Sequence, residues 1–170
     1  NLYAFPYVDV LLIQCYTGWR PQELGLLEVT NVDFEKQIII GGMKTDAGTN
    51  RQVPIHSRIF PLIKKRYDEA VQNDSKYLIT CTDGVTHKKN TLLTYDKYSG
   101  RFQAIVKKLG LNPMHRAHDP RVQFITQAKK FGVDEYAIKY IVGHQISDIT
   151  EHVYTKRDAE WLKNEIEKIM

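Results

Sequence analysis

Helical spacing dominates the pattern of apolar and polar positions, and it is interrupted once by strand-like alternation. Over residues 7–16, Val8, Leu11, Leu12 and Cys15 recur on one helical face, with Pro6 near the start and a Thr17-Gly18 turn at the end. That predicts a buried first helix. A second starts around Pro21. Beyond Leu27 the period drops to two. Residues 31–34, 37–43 and 51–55 read as short strands, separated by Glu35-Lys36 and by the turn-rich run 46–50. A three-stranded antiparallel sheet is therefore predicted near residues 31–55. Ser57 is placed to cap a helix running to about Gln72, residues 76–80 read as a short strand or an extended entry into a loop, and the polar run 82–90 reads as loop.

In the second half, Tyr98, Phe102, Ile105 and Leu109 mark one face of a helix over 94–109, which Gly110 terminates. Asp119 is predicted to cap the next helix, with Pro120 in its first position, where a missing N–H costs nothing, and Arg121 in its first turn. Gly132 ends it. Asp134 opens a helix through Ile141, Asp148 is placed to cap a short one through Tyr154, and Leu162, Ile166 and Ile169 stripe a terminal amphipathic helix. No repeat, low-complexity tract or linker divides the chain. The expected fold is one α+β domain over residues 1–170, mainly helical, with the small sheet inserted.

Composition narrows the class. With 170 residues, 42% hydrophobic and 26% charged, the chain is globular rather than disordered, collagen-like or a disulfide scaffold. No run approaches the ~18 apolar residues of a membrane span, and no signal-peptide pattern opens the chain, so a soluble cytoplasmic protein without membrane partners is expected. Cys15 and Cys81 have no metal-type spacing and read as free thiols. The net charge of +4 says little about partners, but its distribution says more. From Arg101 to Lys130 there are seven basic residues against one acid, Asp119, a net +6, whereas 134–151 carries a net −3. The basic segment suits a polyanion, although a solvated helix surface is the commoner cause of such a run.

Taken singly, the candidate chemical groups have ordinary readings. Arg20 follows a turn, Lys44 sits at a hairpin end, His118 and Arg121 could share a helix-end surface, His144 follows Gly143, and Tyr154 is one of ten tyrosines. Their order changes the weighing. The box Thr17-Gly18-Trp19-Arg20-Pro21-Gln22-Glu23-Leu24, then Lys44, His118-Asp119-Pro120-Arg121, Gly143-His144 and Tyr154 resembles the catalytic set of the tyrosine recombinase (phage integrase) family. Arg20 to Lys44 spans 24 residues, His118 to His144 spans 26, and His144 to Tyr154 spans 10, all within that family's range. The second box departs from it: many relatives read His-x-Leu-Arg-His-Thr, and this chain has His118-Asp119-Pro120-Arg121-Val122-Gln123.

The resemblance implies a site-specific recombinase or integrase that cleaves and rejoins DNA without metal, ATP or any other cofactor. Arg20 and Arg121 would take the non-bridging phosphate oxygens, because guanidinium stays protonated and presents a planar fork of donors. Lys44 would protonate the departing 5′-hydroxyl, and Tyr154 would attack phosphorus to form a 3′-phosphotyrosine. His118 would act as general base or proton relay, and His144 would donate to a phosphate oxygen. Glu23, three residues after Arg20, would orient that arginine, a surface salt bridge being the alternative. Tyr136 and Tyr140 are the competing nucleophiles, both at packing positions. A metal site from His115, His118 and His144 lacks accompanying acids or thiols at ligand spacing.

Double-stranded DNA is the expected partner, contacted by Lys88, Lys89, Lys97, Arg101, Lys107, Lys108 and Arg116, with a homotetramer when synapsed and a monomer open in its absence. The resemblance also implies a nucleoid-associated protein of bacterial or phage origin. It further implies an N-terminal core-binding domain that this sequence does not contain, so that the chain is the catalytic half of a longer recombinase. Residues 156–170 would dock on a neighbouring protomer or fold back in cis. The altered second box leaves an alternative from another class, a catalytically silent DNA-binding module.

Overall fold

The computed structural model describes residues 5–43, 46–83, 85–147 and 157–170. In chain order these form α1 (Val8–Thr17), α2 (Pro21–Leu26), a 3-10 turn (Val29–Asn31), β1 (Val32–Asp33), β2 (Ile38–Gly41), β3 (Arg51–Pro54), α3 (Phe60–Gln72), β4 (Thr80–Cys81), β5 (Thr91–Leu92), α4 (Tyr95–Lys108), α5 (Asp119–Lys130), α6 (Glu135–Val142) and α7 (Ala159–Ile166). The mainly helical α+β class matches the sequence expectation. So does the antiparallel sheet β1-β2-β3, in which Val32 faces Ile39 and Ile39 faces Val53. Strands β4 and β5 form a second, two-stranded ladder. Among the described residues no helix is long and apolar enough to cross a membrane.

Helix α1 runs through the core because Val10 and Ile13 point into it and its C-terminus closes on Gly18 in the left-handed conformation. Its polar residue Gln14 is fully buried and satisfied three ways. The amide nitrogen donates to the carbonyls of Trp19 and Ala117 at 3.1 Å each, and the amide oxygen accepts from the Tyr98 hydroxyl at 2.6 Å. Trp19 and Ala117 immediately precede Arg20 and His118. One buried amide thus fixes the backbone at the start of both arginine-bearing boxes.

Two expected caps are corrected. Ser57 does not cap α3, which starts at Phe60. Its N–H and hydroxyl instead donate to the Glu167 carboxylate at 2.6 and 2.7 Å. Asp119 is the first helical residue of α5 rather than its cap, and its carboxylate takes the Arg116 N–H and the His115 ring. In both cases a contact outside the helix wins the side chain. Thr94 and Asp134 do cap α4 and α6. Between Lys76 and Thr80 the chain makes an isolated bridge from Tyr77 to Glu28, and the β4 ladder begins at Thr80. The short helix expected through Tyr154 lies outside the described residues.

Helix α7 docks on its own chain. Leu162, Ile166 and Ile169 join the core, the Ile169 carbonyl meets His56 Nε2 at 2.8 Å, and Glu165 accepts from the Asp134 N–H at 2.8 Å.

Close approach of backbones makes one glycine indispensable and another replaceable. A methyl group on Gly25 of α2 would lie 1.9 Å from the Leu93 carbonyl oxygen, whereas one on Gly100 of α4 would meet nothing within 4 Å. Gly25→Ala is expected to destabilise by about 1–3 kcal/mol through overpacking, and Gly100→Ala to stabilise by about 0.5–1 kcal/mol through helix propensity. Urea unfolding midpoints of the two variants should therefore move in opposite directions. A Gly25→Ala protein as stable as wild type would contradict this packing.

Candidate active site

Arg20 stands in extended conformation at the N-terminal boundary of α2, where Pro21 begins the helix without needing an N–H partner. One turn later Glu23 points back. The carboxylate is 1% exposed and accepts five hydrogen bonds. Arg20 supplies its N–H (2.8 Å) and Nη1 (2.9 Å), the Met43 N–H reaches it at 3.2 Å, and Arg51 grips both oxygens through Nη1 (3.0 Å) and Nη2 (2.6 Å). Burial alone would push this carboxyl up. The Arg51 bonds and charge, joined by Arg20, outweigh it and hold Glu23 below the usual carboxylate range. The surface salt-bridge alternative for Glu23 does not describe this residue.

Arg51 was legible in the sequence only as the start of a strand. It is buried, its guanidinium lies 4.2 Å over the Trp19 ring, and it also donates to the carbonyls of Ile141 (2.7 Å) and Gly48 (2.8 Å). A signal was available: alternation along β3 puts Arg51 on the same face as buried Val53, and a charge at such a position requires an acid partner elsewhere.

Arg121 enters from the first turn of α5 and is 2% exposed. Its Nη1 donates to the Gly18 carbonyl at 2.6 Å and its Nη2 to the Val142 carbonyl at 2.7 Å. These are the C-terminal ends of α1 and α6, the negative poles of both helices. Desolvation and then the charge of Arg20 bring Arg121 down to about 10, partly opposed by Glu23, so it remains protonated at neutral pH. Among the described residues, Arg20 and Arg51 pair with Glu23, whose charge also reaches Arg121, so these three arginines and one carboxylate carry a local excess of two positive charges.

His144 follows Gly143, which ends α6 in the left-handed conformation and lies so near the β2–β3 connection that a methyl there would sit 2.7 Å from Gly48 Cα. Burial, followed by the charges of Arg121, Arg20 and Arg51, lowers the His144 pKa. The imidazole is neutral at pH 7, so one ring nitrogen can donate while the other accepts. His118 is exposed at the N-terminus of α5, and its carbonyl accepts the Arg121 N–H at 3.1 Å. Lys44 and Tyr154 lie outside the described residues. Met43, immediately before Lys44, is bonded to Glu23.

Arg20, Glu23, Arg121 and His144 are thus brought into one electrostatic cluster, with His118 one turn from Arg121. The model of the phage integrase family matches residues 4–160. This chain belongs to that family. The tyrosine recombinase XerA of Pyrococcus horikoshii is 32% identical to this integrase-family chain over 165 residues, covering 94% of it and 53% of that protein. The transposase from transposon Tn916 of Enterococcus faecalis is 27% identical over 173 residues, covering 86% of the chain and 41% of the transposase. Two solved structures share the fold. The XerA recombinase crystal structure has a TM-score of 0.68 at 23% identity, covering 96% of this chain and 57% of that one. The Tn1549 transposon integrase with circular intermediate DNA has a TM-score of 0.62 at 24% identity, covering 94% and 57%. The chain spans about half the length of the curated relatives it matches.

The other basic residues of this integrase-family chain are not equivalent. Lys88 and Lys89, on the β4–β5 connection, Lys107 and Lys108 at the end of α4, and Arg116 are exposed. Lys97 instead pairs with Asp83 at 3.3 Å, and Arg101 donates to the Lys97 carbonyl and stacks 4.6 Å over Tyr7. Among the described residues no group of three or more His, Cys, Asp or Glu is gathered to hold a metal ion. Tyr136 and Tyr140 sit half-buried on α6.

The cationic surroundings set the titration of His144. Its midpoint, followed by NMR, is expected below the ordinary histidine value in the free protein and to rise when inorganic phosphate is added, because an anion offsets the neighbouring guanidinium groups. A midpoint at or above the ordinary value without phosphate would contradict the cluster.

Proposed function

We propose that this chain carries the catalytic site of a site-specific DNA recombinase or integrase, working through a 3′-phosphotyrosine intermediate without metal or ATP. The observation that carries the reading is the pair Arg20 and Arg121, held in like-charge proximity with one carboxylate, Glu23, set against three arginines among the described residues. Such a pair is costly unless it meets an anion, and a phosphodiester in transit to a phosphorane-like transition state is one whose charge grows as it reacts. The sequence match to recombinases and transposases over nearly the whole chain agrees with that chemistry.

In this mechanism Arg20 and Arg121 bind the non-bridging oxygens and take up the charge that builds on them. The Tyr154 oxygen attacks phosphorus, forming the Tyr–O–P bond as the P–O5′ bond breaks. The phenolic proton passes to His118, and Lys44 delivers a proton to the departing O5′. Neutral His144 donates a hydrogen bond to a phosphate oxygen, and Glu23 keeps Arg20 oriented. Attack by the 5′-hydroxyl of a second strand reverses the step, so the energy of the broken bond is retained and no nucleotide triphosphate is consumed. Double-stranded DNA is the substrate, bound through exposed Lys88, Lys89, Lys107, Lys108 and Arg116, with a synaptic homotetramer as the working assembly and the bacterial or phage nucleoid as its place. Lys97 and Arg101 contribute less, because their charges are already engaged. A preceding core-binding domain would complete the grip on DNA.

The test is trapping on a nicked suicide duplex. Wild-type protein is expected to form a covalent adduct that persists in EDTA, and Tyr154→Phe to form none while its DNA affinity stays within about threefold of wild type. An adduct retained by the Phe variant would refute the nucleophile. Wild-type protein that binds the duplex yet yields no adduct would favour the catalytically silent DNA-binding module, to which the altered box at Pro120, Val122 and Gln123 points.

A further inference from the structure

Arg51 has the wrong exposure to bind a substrate and the right contacts to govern a residue that does. Its side chain is 4% exposed, against 17% for Arg20. Four of its donor contacts are committed, to both Glu23 oxygens and to the carbonyls of Gly48 and Ile141, and one face is covered by Trp19. Arg20 shares the same carboxylate but contributes only one guanidinium nitrogen to it. The two arginines therefore compete for one negative charge, and the sealed one holds it by the two-pronged geometry that guanidinium and carboxylate favour.

We propose that Arg51 is a positioning residue for the phosphate site: it neutralises the buried Glu23 carboxylate, so that Arg20, though bonded to that carboxylate, keeps its charge for the bound anion. The inference rests on the phosphate-binding reading of Arg20 and Arg121 given above. Without Arg51, Glu23 would turn its full charge on Arg20, drawing the guanidinium down into an internal ion pair and cutting the local excess from two positive charges to one.

Sign epistasis separates this role from simple support of the fold. Affinity for inorganic phosphate is followed through the His144 ring resonances at constant ionic strength, in protein shown to be folded by a cooperative thermal transition. Arg51→Met is expected to weaken phosphate about tenfold or more. The double variant R51M/E23Q is expected to return to within about threefold of wild type, because removing the orphaned carboxylate releases Arg20 again. A residue that merely supported the fold would leave the double variant as weak as the single one or weaker. That result would overturn the proposal, as would wild-type affinity in Arg51→Met. Arg51→Lys covers the case in which the Met variant does not fold. It keeps the charge and loses the fork, so phosphate affinity should stay within about threefold even if thermal stability falls, and a tenfold loss would refute charge neutralisation. Adduct yield on the nicked duplex should follow the same order. The phosphate readout does not involve Tyr154, so absence of an adduct in wild type would count against the recombinase reading and leave this inference to be judged on its own.

Discussion

The Glu23 carboxylate is the constraint on which the site depends. Placing an ionised carboxylate where it is 1% exposed is tolerable only if its oxygens are saturated, because an unpaired buried charge costs several kcal/mol. Saturation here comes from three separate pieces of chain: the Arg20 turn, the end of β2 at Met43, and Arg51 at the start of β3. None of these could move alone without stranding a charge or a donor. The first arginine, the root of the hairpin that carries Lys44, and the strand leaving that hairpin are thereby locked to one point.

A second tie reaches the other half of the site through the backbone. Arg51 and Arg121 take the consecutive carbonyls of Ile141 and Val142, so the last turn of α6, just before His144, hangs from two guanidinium groups. Gln14 fixes the peptides preceding both Arg20 and His118 from beneath. Rigid mounting matters because two like charges repel and would relax apart in a softer frame. Held in place, they would serve, under the proposed function, as a preorganised anion site whose favourable energy appears only when negative charge arrives, the property phosphoryl chemistry requires. The price of that preorganisation is the depressed pKa values of Arg121 and His144.

Much of this was legible in the sequence, and the failures share a cause. Element types followed from local periodicity, which is why the sheet, the α4 face and the Asp134 cap were readable in the sequence. On α1 the expected face of Val8, Leu11, Leu12 and Cys15 is corrected, because the helix is apolar nearly all round and buries Val10, Ile13, Gln14 and Thr17 while Leu11, Leu12 and Cys15 are only half-buried. Ser57 and Asp119 were misassigned as caps because their local rules were satisfied on paper, while Glu167, 110 residues away, and the neighbouring Arg116 and His115 took those side chains. Counting charge between Arg101 and Lys130 likewise gave no sign that Lys97 and Arg101, at and before its start, are engaged by Asp83, the Lys97 carbonyl and Tyr7. Arg51 escaped notice for the converse reason: its importance lies wholly in partners far along the chain, and only the inward parity of β3 hinted at it. Arg20, Glu23, Arg121 and His144 were singled out through the family's spacing, whereas the Arg20–Glu23 bonds and the charges of Arg20 and Arg121 acting on His144 are properties of the folded chain.

The most direct measurement is a crystal structure of the protein grown with sulfate as a phosphate surrogate. Expected is one sulfate held jointly by the Arg20 and Arg121 guanidinium groups, with Arg51 still forked on Glu23 and making no contact with the anion. An Arg20 withdrawn fully onto Glu23 while sulfate binds Arg51, or Arg20 and Arg121 too far apart to share one anion, would contradict the assignment of charge on which the site has been built.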